Sequence, residues 1–294
     1  MAKTMEDLQK SREIRKEVIS KYGEVPKSVW HISYANNKLV WDPRTRQSEI
    51  AHKDTSGNKE LETAWSLSGR SVRQGAESTM PYDMVERVLK FYSEPGETFL
   101  DPTMGDMAVM TASHYLNRNF IGYDISETNF NINKELKEKF EKRITLTEKA
   151  SITIFNKSSE SMSEVADNTV DLVFFSPPYW DLEFYGEEAE QLGYGKTYEE
   201  FLAGLGRVIK ECYRVMKEGK YCAININDFT KGGHLYDYHM DVKNLMDEAG
   251  FKRHDTIIIE WPNCIGQAFA SQVEDRKKTA KTHEYIIVGK KVPQ

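Results

Sequence analysis

Long apolar runs are absent from this chain of 294 residues, and no stretch reaches the length a membrane-spanning helix needs. The opening decapeptide, MAKTMEDLQK, lacks the apolar centre of a secretory leader. Cysteine is scarce: Cys212, Cys222 and Cys264 are odd in number and widely spaced, which excludes a disulfide framework and a paired zinc-ligand motif. Of seven scattered histidines, His234 and His239 lie close in sequence but have no companion ligands, so no metal is expected. Excess positive charge is missing too, with 40 basic against 46 acidic residues and a net charge of −6. That excludes a histone-like coat but not a nucleic-acid substrate, because a local basic groove binds phosphates within an acidic protein. The expectation is a soluble protein of a reducing compartment.

What is present is alternation. Hydrophobic residues make up 39% of the chain, enough for one large domain with appendages. From about residue 96 onward, strand-like and helix-like segments alternate, the signature of a parallel sheet covered by helices. Strands are expected at 97–101, 119–124, 151–156, 170–176, 221–227, 255–261 and 283–289. Helices are expected at 81–93, 108–119, 126–143 (Ser126 capping; Phe130, Leu136 and Phe140 inward), 197–216 and 239–250, with Gly219 stopping the fourth. No helix separates the last two strands, so they are expected to be antiparallel neighbours. Residues 1–77 read as an appendage: a charged helix over 5–21, then a polar, irregular stretch holding Trp30, Trp41 and Trp65.

Two loops follow central strands, at the ends where open parallel sheets bind ligands. The first is Asp101-Pro102-Thr103-Met104-Gly105-Asp106, in which a glycine lets backbone approach a ligand at a helix start. Asp124 ends the next strand, 19 residues after Gly105, a reach that suits the two hydroxyls of a ribose. An Asp there also serves as a plain turn or cap residue. The second loop is Ser176-Pro177-Pro178-Tyr179, followed by Trp180-Asp181. Two prolines stiffen the backbone and donate no N–H. Tyr179 can then stack on a planar ring while the Ser176 hydroxyl and Pro177 carbonyl accept from an exocyclic amine. The bland reading is a turn with an aromatic plug.

In this order the two loops resemble those of the amino-methylating DNA methyltransferases, which act on adenine N6 or cytosine N4. FLDPTMGDMAVMTASHYLNRNFIGYDIS stands where that family has an Asp-Pro-Phe-x-Gly-x-Gly-like loop, and TVDLVFFSPPYWDLEFYG where it has (Asn/Asp/Ser)-Pro-Pro-(Tyr/Phe). STMPYDMVERVLKFYSEPGE is similar to the segment that closes over the methionine end of S-adenosylmethionine. YEEFLAGLGRVIKECYRVMKEGKYCAININD and HEYIIVGKK fit the distal strands. The resemblance covers about residues 78–291. It implies an α/β methyltransferase fold: a seven-stranded, mostly parallel sheet with the last strand antiparallel, helices on both faces, and a catalytic domain over 78–294. It implies S-adenosylmethionine as cofactor, with Asp101, Pro102, Thr103 and Gly105 lining its amino-acid portion and Asp124 holding its ribose. Ser176, Pro177, Pro178 and Tyr179 would grip a base flipped from double-stranded DNA, in the cytoplasm of a bacterial or phage-infected cell. Oligomeric state is left open between monomer and homodimer.

The chain departs from the family pattern in two places. Asp106-Met107 replaces the usual second glycine, and the third strand ends in Asn156-Lys157-Ser158-Ser159, where Ser158 takes the place of an acidic residue near the adenine ring. Cytosine C5 methylation needs a thiolate, and no Pro-Cys pair occurs. In this family a leading serine leans towards cytosine N4, with adenine N6 the alternative. Asp106-Met107 is the feature that would favour a catalytically silent nucleic-acid-binding subunit. A nicotinamide dehydrogenase lacks its G-x-G-x-x-G. Phosphate contacts are expected from Arg276, Lys277, Lys278 and Lys281, and from Lys10, Arg12, Arg15, Lys16 and Lys21. Base recognition would fall to residues 22–75 and the loop 228–240, and the acidic run 181–200 reads as a flap or a partner site.

Overall fold

VDLVFF, the hexapeptide Val170–Phe175, is buried at all six positions, and in the computed structural model this strand (β5) occupies the middle of a sheet. The residues described are 13–14, 16–21, 27–31, 80–105, 108–142, 150–182, 188, 190–260, 279 and 282–293. The remaining strands are β1 (Val29–His31), β2 (Thr98–Asp101), β3 (Asn119–Tyr123), β4 (Ile152–Phe155), β6 (Met216–Ile226), β7 (Phe229–Lys231), β8 (His234–Tyr236), β9 (Lys252–Glu260) and β10 (His283–Lys290). The helices are α1 (Tyr82–Tyr92), α2 (Ala108–Tyr115), α3 (Glu127–Lys142), α4 (Tyr198–Val215) and α5 (Tyr238–Ala249).

The main sheet runs β1-β9-β10-β6-β5-β2-β3-β4. Its pairs are parallel except those of β10, which lies antiparallel to both β6 and β9, as the missing helix between the last two strands predicts. Alternate residues feed two cores. Phe99, Leu172, Phe174, Ile286 and Val288 pack with α1, α2 and α3 on one face. Leu100, Val173, Phe175, Ile224 and Ile287 pack with α4 and α5 on the other. Each such side chain contributes about 1.5–3 kcal/mol on burial. The chain leaves β2 for β3 and β4 on one side and returns as β5 on the other, so the strand order reverses between β2 and β5. Open α/β sheets bind ligands at such a point, outside the carboxyl ends of the strands.

Local signals explain the helix limits. Thr197 and Glu200 form a reciprocal capping box at the start of α4, and Gly250 closes α5 in the left-handed region at φ 104°. Three expectations need correction. Gly219 does not stop α4, which ends at Val215; it lies at φ 80° inside β6, where the register against β5 shifts. Residues 29–31 are not irregular but form β1, an eighth strand parallel to β9, held by pairing rather than by a pattern of its own. The stretch after β6 contains the β7–β8 hairpin instead of a plain loop. Residues 13–14 and 16–21 are helical, as expected, and Lys21 pairs with Glu94 just beyond α1, so this cation is engaged by the α/β body. Lys10, Arg12, Arg15, Trp41, Trp65, Asp106, Met107, Cys264, Arg276, Lys277, Lys278 and Lys281 lie outside the described residues, as do the side chain of Trp30 and residues 183–187.

Candidate active site

The loop after β2 turns on the buried Asp101, whose Oδ1 accepts from the Thr103 N–H at 2.9 Å. The Met104 N–H then donates to the Tyr123 carbonyl at 2.9 Å, tying this loop to the end of β3, and Gly105 sits at φ 54°. Asp124 follows β3. Its Oδ1 accepts from the Ser126 N–H at 2.8 Å and its Oδ2 from Asn129 Nδ2 at 3.3 Å, while the Gly105 N–H also bonds the carboxylate. Asp124 therefore does the work of a turn residue and still faces the cavity; the two readings coexist.

Both carboxylates are unusually hard to ionise. Burial pushes Asp101 up to about 8, only partly offset by the Thr103 N–H, and the nearby Asp124 charge adds to the rise. Burial likewise raises Asp124 to about 7 against the hydrogen bonds that favour its anion. A buried carboxylate is costly without a cation beside it, and among the described residues neither Asp101 nor Asp124 has an ion-pair partner, so these two suit a ligand carrying positive charge or hydrogen-bond donors.

The loop after β5 is built from carbonyls and rings. Thr103 Oγ1 donates to the Ser176 carbonyl at 3.2 Å, which joins the two loops across the reversal point. Tyr238 Oη donates to the Pro178 carbonyl at 3.2 Å, and the Leu182 N–H to the Tyr179 carbonyl at 3.0 Å. Among the described residues this leaves the Pro177 carbonyl as the one main-chain acceptor of the tetrapeptide without a bond. The Tyr179 ring meets Tyr238 and Phe229 edge-on, at 5.8 and 6.3 Å between centroids.

All ten residues singled out from the sequence line a single cavity of about 170 Å³: Asp101, Pro102, Thr103, Gly105, Asp124, Ser158, Ser176, Pro177, Pro178 and Tyr179. Ser158 lies on its wall with Oγ accepting from the Glu160 N–H at 3.3 Å. The cavity also takes in Asn129, Ser159 and Gln191, which sequence reasoning missed. Asn133, fully buried, donates to the Gly105 carbonyl at 2.8 Å and supports the loop from behind. Asn129 and Asn133 continue, one turn at a time, the inward stripe of Leu136 and Phe140 on α3, a signal that attention to apolar residues alone passes over. Gln191 and Leu192, from the acidic run 181–200, are buried and with Glu190 form part of the cavity wall. Cys212 and Cys222 are buried among apolar side chains, which pushes both thiols up and away from the thiolate.

A family model described as DNA methylase, of the N6/N4 type, matches residues 3–135 and 170–293. The orphan methyltransferase M.BamHII of Bacillus amyloliquefaciens is 34% identical over 96 residues, covering 33% of this chain and 31% of that protein. The type II methyltransferase M.MwoI of Methanothermobacter wolfeii is 29% identical over 139 residues, 46% of this chain and 20% of its own length. The matched parts thus span about a fifth to a third of these relatives. Among solved structures, the [4+2]-cyclase SpnF superposes with a TM-score of 0.50 at 16% identity, covering 77% of this chain and 85% of its own, a likeness of fold alone.

Proposed function

Because the chain belongs to the DNA methylase family, we propose that it transfers a methyl group from S-adenosylmethionine to the exocyclic amine of a base everted from double-stranded DNA, N4 of cytosine being the acceptor. The observation that carries this reading is the hydrogen bond from Thr103 to the Ser176 carbonyl. It fastens a loop with cofactor-type chemistry to a loop with base-type chemistry over one cavity.

The residues present fit the cofactor. Asp124 offers acceptors for two ribose hydroxyls, and two buried carboxylates with no ion-pair partner among the described residues suit a ligand with an ammonium and a sulfonium group. Bound there, S-adenosylmethionine supplies an electrophilic methyl group. The chain's own part is positioning and electrostatics. An exocyclic amine is a poor nucleophile because its lone pair is delocalised into the ring. The Pro177 carbonyl and Ser176 hydroxyl accept hydrogen bonds from its N–H groups, which localises that pair, and the Tyr179 ring holds the base plane. Eversion of the base explains why an aromatic platform is needed.

The serine that opens Ser176-Pro177-Pro178-Tyr179 supports cytosine over adenine, on the family's leaning. Residues 78–294 act as the catalytic domain with residues 1–77 as an appendage, whose described strand β1 joins the edge of the sheet on β9. The enzyme works in the cytoplasm, where its DNA is. With methyl-labelled S-adenosylmethionine, the protein should label unmethylated DNA. Label appearing in protein or free nucleotides but not in DNA overturns the substrate.

A further inference from the structure

Trp180, the residue directly after Tyr179, sits in the left-handed region at φ 53°. The other non-glycine residues described there are Asn117 and Asn168, whose short amides tolerate it. A tryptophan adopts it rarely, and only where its surroundings over-determine it. Here they do. The indole Nε1–H donates to the Lys196 carbonyl at 2.8 Å, and the ring meets Tyr198 at 5.4 Å and Tyr236 at 5.5 Å. The Lys231 ammonium lies 4.2 Å from the centre of that ring and pairs with Asp181. The Leu182 N–H closes the turn on the Tyr179 carbonyl at 3.0 Å.

The same turn is gripped from one more side, by the end of the acidic run. Gly193 is buried flat against the Trp180 peptide: a Cβ built on it would overlap the Trp180 carbonyl and stand 2.9 Å from the Trp180 Cα. These are main-chain atoms, which cannot swing aside as a side chain can. From Gly193 the chain makes a tight turn, the Lys196 N–H donating to the Gly193 carbonyl at 3.3 Å with Gly195 at φ 70°, and enters the capping box of α4 at Thr197. Residues 193–196 therefore hold Trp180 at two points, its carbonyl and its indole, and are themselves rooted in a helix. Before Gly193, Leu192 is seated against α4 at Gly204, where a Cβ would come within 2.8 Å of the Leu192 Cδ2. With the run pinned on both sides, room for a side chain at Gly193 has to come from the Trp180 peptide.

Building on the methylation reading, we propose that Gly193 and Trp180 are positioning residues for the everted base and act through Tyr179. The brace fixes the peptide that follows Tyr179, while Tyr238 fixes the Pro178 carbonyl before it. With both flanks held, the ring keeps one orientation before the base arrives, and little binding energy is lost in ordering it. The end of the acidic run thus buttresses the base platform, and its glycine is there for close approach of two backbones.

The test is a double-mutant cycle on unmethylated genomic DNA, read by label transfer, that joins Gly193→Ala to Tyr179→Ala. Gly193→Ala alone should lower kcat/KM for DNA about tenfold, with cofactor affinity by calorimetry within about twofold of wild type. In the Tyr179→Ala background the same change should cost less than about twofold, since the ring it positions is gone. Trp180→Phe keeps a ring and loses the bond to the Lys196 carbonyl. It should cost about fivefold alone and show the same non-additivity, and it decides the matter if Gly193→Ala does not fold. Losses that multiply in the double variants overturn the proposal, because a structural defect unrelated to Tyr179 produces them. Cofactor affinity falling as far as the DNA rate, or wild-type rates in both single variants, overturn it too. Wild type that labels no DNA sinks the methylation reading first, a failure visible before any variant is made.

Discussion

The two loops that face each other across the sheet's reversal point treat charge in opposite ways. The loop after β2, with the end of β3, buries two carboxylates that resist ionisation, so its chemistry is electrostatic and responds to pH. The tetrapeptide Ser176–Tyr179 after β5 contains no ionisable side chain but tyrosine; its tools are a stiff backbone, a Pro177 carbonyl uncommitted among the described residues, and a ring held by its edges. Desolvated charge binds a charged cofactor tightly, while rigid neutral acceptors orient an uncharged amine. A site that bound both substrates by the same means could not be disturbed on one side only.

That independence is open to attack. The largest effect is expected from Asp124→Ala, which on the proposed reading removes two charge-assisted hydrogen bonds to ribose; calorimetry should show cofactor binding weakened about 10²-fold or more. Next comes Tyr179→Ala, costing about 10- to 100-fold in kcat/KM for DNA on the usual worth of base stacking, with cofactor affinity intact. Crossed results, with Tyr179→Ala weakening the cofactor as much as the DNA, would break the comparison.

A pH series sharpens it. Ligand hydroxyls and a cationic ligand favour ionised Asp124 and Asp101, so cofactor binding should release protons and strengthen with pH, by up to about a hundredfold per pH unit below 7, where both must ionise, and up to about tenfold between Asp124 near 7 and Asp101 near 8. The ligand-free protein should respond in the other direction. Its folded-state pKa values lie above the unfolded ~4, so the folded state holds more protons between about pH 4 and 8, and stability falls as pH rises through that window. Melting temperatures measured with and without cofactor test both signs. The smallest effect belongs to Thr103→Val, which cuts the bond to the Ser176 carbonyl that joins the loops: about 1 kcal/mol, or roughly fivefold in kcat, with both KM values near wild type.

Much of this site was legible because its chemistry rests on residue types with few other uses at strand ends. Pro177-Pro178 cannot continue a strand, and Asp101 and Asp124 close apolar runs, so position and chemistry could be read together. The supporting residues were not legible for physical reasons. Asn133 is a buried polar residue on a helix whose inward face was sought among apolar ones. Gln191 sits in a segment dominated by acids, where nothing local marks it as wall. The β7–β8 hairpin has three-residue strands with one face on aromatic rings contributed by distant segments, so no period-two pattern announces it. Gly219 looked like a helix stop, but α4 ends earlier, at Val215, and the chain passes straight into β6.

The most direct measurement is mass spectrometry of nucleosides from the DNA of a methylation-deficient host that expresses this protein. The account predicts N4-methylcytosine, absent when Tyr179→Ala is expressed instead. N6-methyladenine would move the acceptor to the other amino base, whereas 5-methylcytosine, or no modified nucleoside from folded protein, would contradict amine methylation altogether.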